Sequence, residues 1–155
     1  MIYMGLTALL AALDLIIKNA IEEQDEDNFP KELEGSKGKI LLHKSHNAGF
    51  PFGYLKEKQS LVQMLPLAVA SFVAGIQVCL LQGKGRHAEK LALSLVLGGA
   101  ASNLYDRLVR SYVVDYFSLQ FGRLKKVIFN LGDIFIFLGA AIFAAVEVIR
   151  AFKDR

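Results

Sequence analysis

The sequence has very few of the residues that build disulfide, metal or cofactor sites. Its 155 residues include one cysteine, three histidines and no tryptophan. Because Cys79 stands alone, a disulfide framework, a CxxC pair and a cysteine-based zinc site are excluded. We interpret Cys79 as a small packing residue and not as a nucleophile, since no base lies near it in sequence. His43 and His46 lack a further ligand at a suitable spacing, and no phosphate-binding glycine motif is present. We therefore expect no metal and no cofactor.

Charge is also scarce and unevenly distributed. Charged residues make up 21% of the chain, hydrophobic residues make up 54%, and the net charge is +3. No basic stripe interleaves with aromatic residues, so we expect no nucleic-acid partner. The charged residues gather in three stretches, and the apolar runs between them are long enough to enter a bilayer. This distribution indicates an integral membrane protein with one domain over residues 1–155.

Four apolar runs are predicted to form transmembrane helices, at about residues 2–18, 61–81, 91–105 and 127–149. The first run could instead be a cleaved signal peptide, but its first basic residue, Lys18, lies on the wrong flank, so a retained span is favoured. The run from residue 2 to 17 would reach about 24 Å, which is short for a span. The polar segment 19–60 is predicted to be external and to contain a strand at 39–44. The predicted fold is an all-α membrane protein with four transmembrane helices and a small extracytoplasmic β-element.

The distribution of basic residues predicts the orientation. The loop at 82–90 and the tail after Ile149 are basic, which places both termini in the cytoplasm. The connection at 105–126 must then be external, although it is also basic. We expect some of its cations to be functional or to bind lipid headgroups; they are Arg107, Arg110, Arg123, Lys125 and Lys126.

Four aspartates lie within or beside the predicted spans, where each ionisable group costs roughly 2.5–3.5 kcal/mol. Asp14 and Lys18 have the i, i+4 spacing of an interfacial salt bridge. Asp106 is predicted to have a structural role in a pair with Arg107. Counted from a helix start at Val127, the fourth aspartate, Asp133, would lie about 9 Å below the outer interface.

Asp115 and Asp133 lie in apolar surroundings, and neither has a basic residue beside it in sequence that would neutralise its charge. Two carboxylates close together in a low-dielectric site cannot both ionise, so one keeps a proton. Such a pair can hydrolyse a peptide bond by general acid–base catalysis without a metal. The same two residues could instead carry protons or ions across the membrane. The residues alone leave both interpretations open.

Five blocks resemble the sequence signature of the signal peptidase II family, the bacterial lipoprotein signal peptidases. The family patterns are N-x-x-D-R, Gly-x-Val-x-Asp-Phe, F-N-x-A-D and N-x-G-x-A-F, with an acid and a lysine at the end of the first span. The matching positions, in family order, are Asp14 with Lys18, and residues 47–53, 103–107, 111–116 and 129–133. Together they extend over nearly the whole chain.

This resemblance implies a function and a set of site residues. It implies an intramembrane aspartyl endopeptidase that removes the signal peptide from diacylglyceryl-modified prolipoproteins by cleaving before the lipidated cysteine. Asp115 and Asp133 would be catalytic. The other implied site residues are Asn47, Asn103, Arg107 and Asn130 for substrate binding, and Asp14, Lys18 and Asp106 for structure. The implied protein is a multi-pass enzyme of the bacterial cytoplasmic membrane with its active site at the outer face.

The expected partners are the lipid-modified prolipoprotein substrate, membrane lipids and globomycin-type inhibitors, and the protein is expected to be a monomer. Five positions depart from the family pattern, namely Leu15, Pro51, Ser111, Tyr116 and Gly132. Pro51 and Ser111 raise the possibility of altered substrate specificity. An alternative function is a non-catalytic four-span binding or assembly factor for lipoproteins. A small proton-coupled transporter is a weaker alternative, because no internal repeat is visible.

Overall fold

The computed structural model describes residues 1–49 and 57–153. Its helices are α1 (Ile2–Glu22), α2 (Gln59–Gln82), α3 (His87–Tyr105) and α4 (Leu131–Lys153), and its strands are β1 (Lys31–Glu32), β2 (Ile40–Asn47) and β3 (Val113–Leu119). A π-helical turn (Asp106–Arg110) follows α3, and 3₁₀ turns occupy Glu26–Asn28 and Gly122–Lys126. Part of the loop predicted at 47–53, including Pro51, lies outside the described residues.

Three of these helices, α1, α2 and α4, are long and apolar enough to cross a membrane. Among the described residues α3 does not meet that standard, although a span was predicted there. Its 19 residues include Glu89, Lys90 and Asn103, which lower its hydropathy. These polar side chains are buried, because α3 packs against all three other helices. The chain is therefore mostly helical, with three candidate spans around a more polar helix.

Small residues allow α3 and α4 to pack closely. A Cβ atom added at Gly99 would lie 2.1 Å from the carbonyl oxygen of Gly132. Nearer the other end of the pair, a Cβ at Gly139 would lie 2.5 Å from the carbonyl oxygen of Ala92. Contact of this kind requires residues without side chains at the crossing. The glycines therefore determine how closely the two helices approach.

The three strands form one antiparallel sheet in the order β1-β2-β3. Strand β2 pairs with β3 so that Ser45 lies opposite Asp115 and Asn47 lies opposite Val113. The strand predicted at 39–44 is confirmed and extends further, to Asn47. No strand was predicted at β3, whose buried residues run continuously from Val113 to Tyr116 instead of alternating. The sheet thus brings β2 beside the strand that carries Asp115.

Two predicted helix ends are wrong. Helix α1 continues past Lys18 to Glu22, a length of about 31 Å that is sufficient for a span. It continues because Lys18 is buried and its charge is neutralised by other elements. Helix α4 begins at Leu131 and not at Val127, because Asn130 caps it. Asp133 therefore lies in the first turn of α4, and the predicted depth of six residues into the helix is not observed.

Candidate active site

Five of the six predicted catalytic and substrate-binding residues line one cavity of about 660 Å³. They are Asn47, Asn103, Arg107, Asp115 and Asp133. They come from five separate elements, which in chain order are β2, α3, the π-helical turn, β3 and the first turn of α4. The sixth residue, Asn130, is fully buried behind the wall of the cavity. The structure therefore collects residues that lie up to 86 positions apart in sequence around one opening.

Asp115 lies on β3 with only 7% of its surface exposed. Its carboxylate oxygens accept hydrogen bonds from two amides, Asn130 Nδ2 at 2.8 Å and Asn47 Nδ2 at 3.3 Å. Burial, together with the nearby charge of Asp133, raises the pKa of Asp115 to about 7. The asparagine hydrogen bonds and Lys18 act in the opposite direction and do not overcome burial. Asp115 can therefore gain or lose a proton near neutral pH.

Asp133 lies in the first turn of α4 and takes part in a reciprocal cap. Its backbone N–H donates to Asn130 Oδ1 at 2.8 Å, while the backbone N–H of Asn130 donates to Asp133 Oδ2 at 3.3 Å. This is the arrangement of a capping box, with aspartate in place of the usual glutamate. The other carboxylate oxygen accepts a hydrogen bond from Asn103 Nδ2 at 2.9 Å. The helix start therefore fixes the position of the carboxylate.

Asn130 connects the two aspartates through its side-chain amide. Its oxygen accepts the hydrogen bond from Asp133, and its nitrogen donates to Asp115. The amide orientation is consistent only in this sense, because a carboxylate accepts hydrogen bonds and a backbone N–H donates them. One uncharged side chain thus holds both carboxylates in a defined relation.

Lys18 supports the site from behind. Its ammonium group is fully buried and contacts four oxygens, those of Asp14 at 3.0 Å, Asp106 at 2.9 Å, Ser102 at 3.1 Å and Asn103 at 2.8 Å. Because Lys18 donates to Asn103 Oδ1, the amide nitrogen of Asn103 is directed toward Asp133. The salt bridge predicted for Asp14 and Lys18 is present, and both of its side chains are fully buried within the protein.

Asp106 does pair with cations, but not in the way predicted. Its ion pairs are with Lys18 at 2.9 Å and with Arg110 at 3.2 Å, whereas the sequence suggested Arg107. Adjacent residues on a helix do not face each other, whereas residues four apart do. Asp106 also accepts a hydrogen bond from the backbone N–H of Val114 at 3.1 Å. It thereby holds β3 at the residue immediately before Asp115.

Two buried hydroxyl groups near the site were not predicted as site residues. Ser102 donates to Asp14 Oδ2 at 2.6 Å, and Tyr116 donates to Asp14 Oδ1 at 2.9 Å. Tyr116 had been noted only as a departure from phenylalanine, a difference of one hydroxyl group. That difference was the available signal, but its partner lies 102 residues away in sequence. Among the described residues no group of three or more histidine, cysteine or acidic side chains could hold a metal ion.

Comparison with known proteins identifies the family. Residues 6–149 match the model described as signal peptidase (SPase) II. The lipoprotein signal peptidase of Francisella tularensis subsp. novicida (strain U112) is 33% identical over 155 residues, covering 98% of this chain and 94% of that protein. The lipoprotein signal peptidase of Teredinibacter turnerae is 32% identical over 143 residues, covering 89% of this chain and 82% of that protein.

Solved structures share the fold. A bacterial membrane enzyme structure obtained by the in meso method at 2.3 Å resolution superposes with a TM-score of 0.84 at 17% identity, covering 99% of this chain and 91% of the other. A second such structure, at 1.9 Å resolution, superposes with a TM-score of 0.74 at 19% identity, covering 99% and 94%. At these identities the likeness concerns the fold alone. The match to the family model extends over most of the sequence, and the chain therefore belongs to the signal peptidase II family, a family of proteases.

Proposed function

We propose that this chain is an aspartic endopeptidase that removes the signal peptide from diacylglyceryl-modified prolipoproteins, cleaving before the lipidated cysteine. Membership of the signal peptidase II family supports the protease activity, and the names of its relatives support a lipoprotein substrate. The observation that carries the aspartic mechanism is the pair Asp115 and Asp133, which line one cavity and are held by neutral amides.

The proposed chemistry needs one proton shared by the two carboxyl groups. With the pKa of Asp115 raised to about 7, the pair holds one proton near neutral pH. The ionised carboxylate takes a proton from a water molecule, and the oxygen of that water attacks the scissile carbonyl carbon. The protonated carboxyl donates its proton to the carbonyl oxygen, which forms a tetrahedral diol. Collapse of this diol breaks the C–N bond: the leaving amine receives the proton taken from water, and one diol hydroxyl returns its proton to the carboxylate that donated earlier, which restores the pair.

The remaining cavity residues are proposed to bind the substrate. Asn47 and Asn103 each use an amide nitrogen to hold an aspartate, so Asn47 keeps its carbonyl oxygen within reach of a peptide N–H. That oxygen already accepts from the backbone N–H of Gly49, which orients it. Arg107 supplies a positive charge to the wall of the cavity. Asn130 acts on both aspartates from behind.

We propose that α3 is a fourth span and that the active site faces outward from the bacterial cytoplasmic membrane. The end of α1, the start of α2, the end of α3 and the start of α4 all lead toward the sheet and the cavity. Four antiparallel helices would put both termini on the opposite side, as the basic residues also suggest. The neighbouring spans surround α3, so its polar residues need not face lipid.

Membrane lipids are proposed to contact the exposed apolar faces of the spans, which include Phe72 and Phe137. Their headgroups would meet the exposed basic turn that contains Arg123, Lys125 and Lys126. Globomycin-type inhibitors are proposed to occupy the cavity of the two aspartates, and the protein is proposed to act as a monomer.

The test is cleavage of a diacylglyceryl-modified prolipoprotein by the purified protein in lipid or detergent, followed by gel shift. Asp115→Asn and Asp133→Asn should each lower the rate by more than about 100-fold, because an amide cannot exchange the required proton. Asp27→Asn removes an exposed carboxylate of the external segment and should leave the rate unchanged. Full activity in either active-site variant would exclude the aspartic mechanism. Binding of the precursor without cleavage by the wild-type protein would favour the non-catalytic alternative.

A further inference from the structure

The hydroxyl group of Tyr116 lies where the two elements that carry the aspartates approach each other. Tyr116 is the residue after Asp115 on β3, and its side chain is only 5% exposed. Its hydroxyl oxygen accepts a hydrogen bond from the backbone N–H of Leu131 at 2.9 Å. Leu131 is the first residue of α4 and lies two positions before Asp133. One hydroxyl group therefore joins the neighbour of one aspartate to the helix turn that carries the other.

The hydrogen-bonding capacity of this group is used in a directed way. The hydroxyl donates to Asp14 Oδ1 at 2.9 Å, and the N–H of Leu131 lies 3.1 Å from the same oxygen. The first N–H groups of a helix have no partner within the helix, and a carboxylate near them is favoured by the helix dipole. Tyr116 and Asp14 thus form an external cap for the N-terminus of α4, beside the capping box made by Asn130.

Strand β3 also contacts the segment that leads into α4, and this contact bears on the position of the helix. The backbone of Phe117 pairs with that of Phe129 through hydrogen bonds of 3.0 and 2.7 Å. Tyr116 also donates its own backbone N–H to the carbonyl oxygen of Phe129 at 2.9 Å, and Asn130 donates its side-chain amide to Asp115. The hydroxyl of Tyr116 adds a contact beyond these, at Leu131 in the first turn of α4. This contact contributes to the direction in which α4 leaves the strand, and with it to the place of Asp133 relative to Asp115.

We infer that Tyr116 is a positioning residue for the aspartate pair, whose hydroxyl group acts together with Asn130 to set the separation of Asp115 and Asp133. The inference rests on the proposed function for its effect on catalysis, but its structural part can be measured without turnover. The test is Tyr116→Phe, which removes one oxygen atom and keeps the ring. The matched control is Tyr112→Phe, because the hydroxyl of Tyr112 donates instead to Glu22 at 3.2 Å.

The first measurement is a carboxyl titration by ¹³C NMR on the purified, aspartate-labelled protein in detergent. The charged groups that act on the Asp115 carboxyl are Asp133 of α4, Lys18 of α1 and Arg107 of the π-helical turn. If the two aspartates separate in Tyr116→Phe, their mutual repulsion weakens. The midpoint of the Asp115 titration should then move to lower pH by about half a pH unit. Tyr112→Phe should leave the midpoint in place.

The second measurement is the pH profile of kcat, with active sites counted by titration with a tight-binding inhibitor. We expect kcat to fall by about tenfold in Tyr116→Phe, with KM within about twofold of the wild-type value. The alkaline limb of the profile should move to lower pH. A variant that is merely less stable would scale the whole profile by one factor. An unchanged profile and an unchanged titration would overturn the inference.

A variant on the other side of the contact guards against a folding defect. Leu131→Pro removes the N–H that Tyr116 accepts, at the first helical position, where proline is tolerated. It should move the Asp115 titration in the same direction as Tyr116→Phe. If neither variant moves the titration, the hydroxyl does not position the pair. If Tyr116→Phe moves the Asp115 titration but the wild-type protein cleaves no precursor, the proposed function fails while the structural part of this inference stands.

Discussion

The two ends of the α3–α4 pair bury acidic side chains in different ways. At the end remote from the cavity, Glu89 and Glu147 form an arginine cluster with Arg86 and Arg150. Arg86 lies 3.2 Å from Glu89 and 2.5 Å from Glu147, and Arg150 lies 3.1 Å from Glu147 and also binds Glu89. At the end that opens into the cavity, the carboxylates of Asp115 and Asp133 accept hydrogen bonds from the side-chain amides of Asn47, Asn103 and Asn130.

The difference concerns which groups can exchange protons. An arginine keeps its charge in proteins, so a carboxylate that it binds stays ionised. An amide has no net charge, so a carboxylate that it binds remains sensitive to burial and to its neighbours. The arginine cluster can therefore fasten helices, whereas the aspartate pair can hold a variable number of protons. At the cavity end the buried cation, Lys18, acts one layer further back, on Asp14 and Asp106.

Removal of one cation from each end should give the largest difference in unfolding free energy between the two ends. Lys18→Met leaves two fully buried carboxylates, Asp14 and Asp106, without their shared partner. We expect the unfolding free energy to fall by about 3–5 kcal/mol and cleavage to be lost, since Asn103 also loses its orienting contact. Arg150→Met should cost less, about 1 kcal/mol, because Arg150 itself is partly exposed and Arg86 still binds the buried Glu89. Chemical unfolding in detergent measures both, and equal losses would contradict the comparison.

The pH dependence of stability provides the second test. Because the pKa of Asp115 is raised from 3.8 to about 7 on folding, the native state binds a proton that the unfolded state has lost between these values. The unfolding free energy should therefore decrease as the pH rises from 4 to 7, by about 4 kcal/mol at most.

Asp115→Asn should remove this decrease and make the variant more stable than the wild-type protein at pH 8, although it is inactive. The measurement is unfolding at a series of pH values. Glu147→Gln in the arginine cluster is the control and should leave the decrease in unfolding free energy in place. A pH dependence that is the same in the wild-type protein and in Asp115→Asn would contradict the raised pKa of Asp115.

The third test adds a methyl group to the helix contact at each end. Gly99→Ala would place a Cβ 2.1 Å from the carbonyl oxygen of Gly132, and Gly139→Ala would place one 2.5 Å from that of Ala92. Each should lower the unfolding free energy by about 1–3 kcal/mol. Only Gly99→Ala should also lower kcat for the remaining folded protein, since Gly132 adjoins Asp133. Gly75→Ala on α2 meets no atom within 4 Å and serves as the neutral control. Equal kcat in the two contact variants would contradict the distinction between the ends.

The sequence was sufficient to predict the helices and the residues of the cavity, but not how the charges are paired. Apolar runs identify spans because a bilayer tolerates few exposed charges. Lys18 appeared to end the first span because its charge seemed unneutralised within a bilayer. Its partner Asp106 lies 88 positions away in sequence and was predicted to pair with Arg107 instead. The predicted start of α4 was too early because residues 127–129 are apolar and continue the apolar run of the helix toward its N-terminus. Only the reciprocal hydrogen bonds of Asn130 and Asp133 define the boundary.

The site residues were easier to predict than their mutual geometry. A carboxylate in an apolar run is conspicuous whatever its surroundings, so Asp115 and Asp133 could be selected from the residues alone. The supporting hydroxyls of Ser102 and Tyr116 could not, because serine and tyrosine are common in such segments and gain a role only from the tertiary contact with Asp14.

The two uses of Asn130 have a consequence for heating. The same side chain begins α4 and holds Asp115, so fraying of that single helical turn would release both carboxylates at once. Helix ends open more readily than whole domains. Heating would therefore abolish activity reversibly while most of the helices remain folded. The temperature at which activity is lost would report on the stability of one turn of one helix.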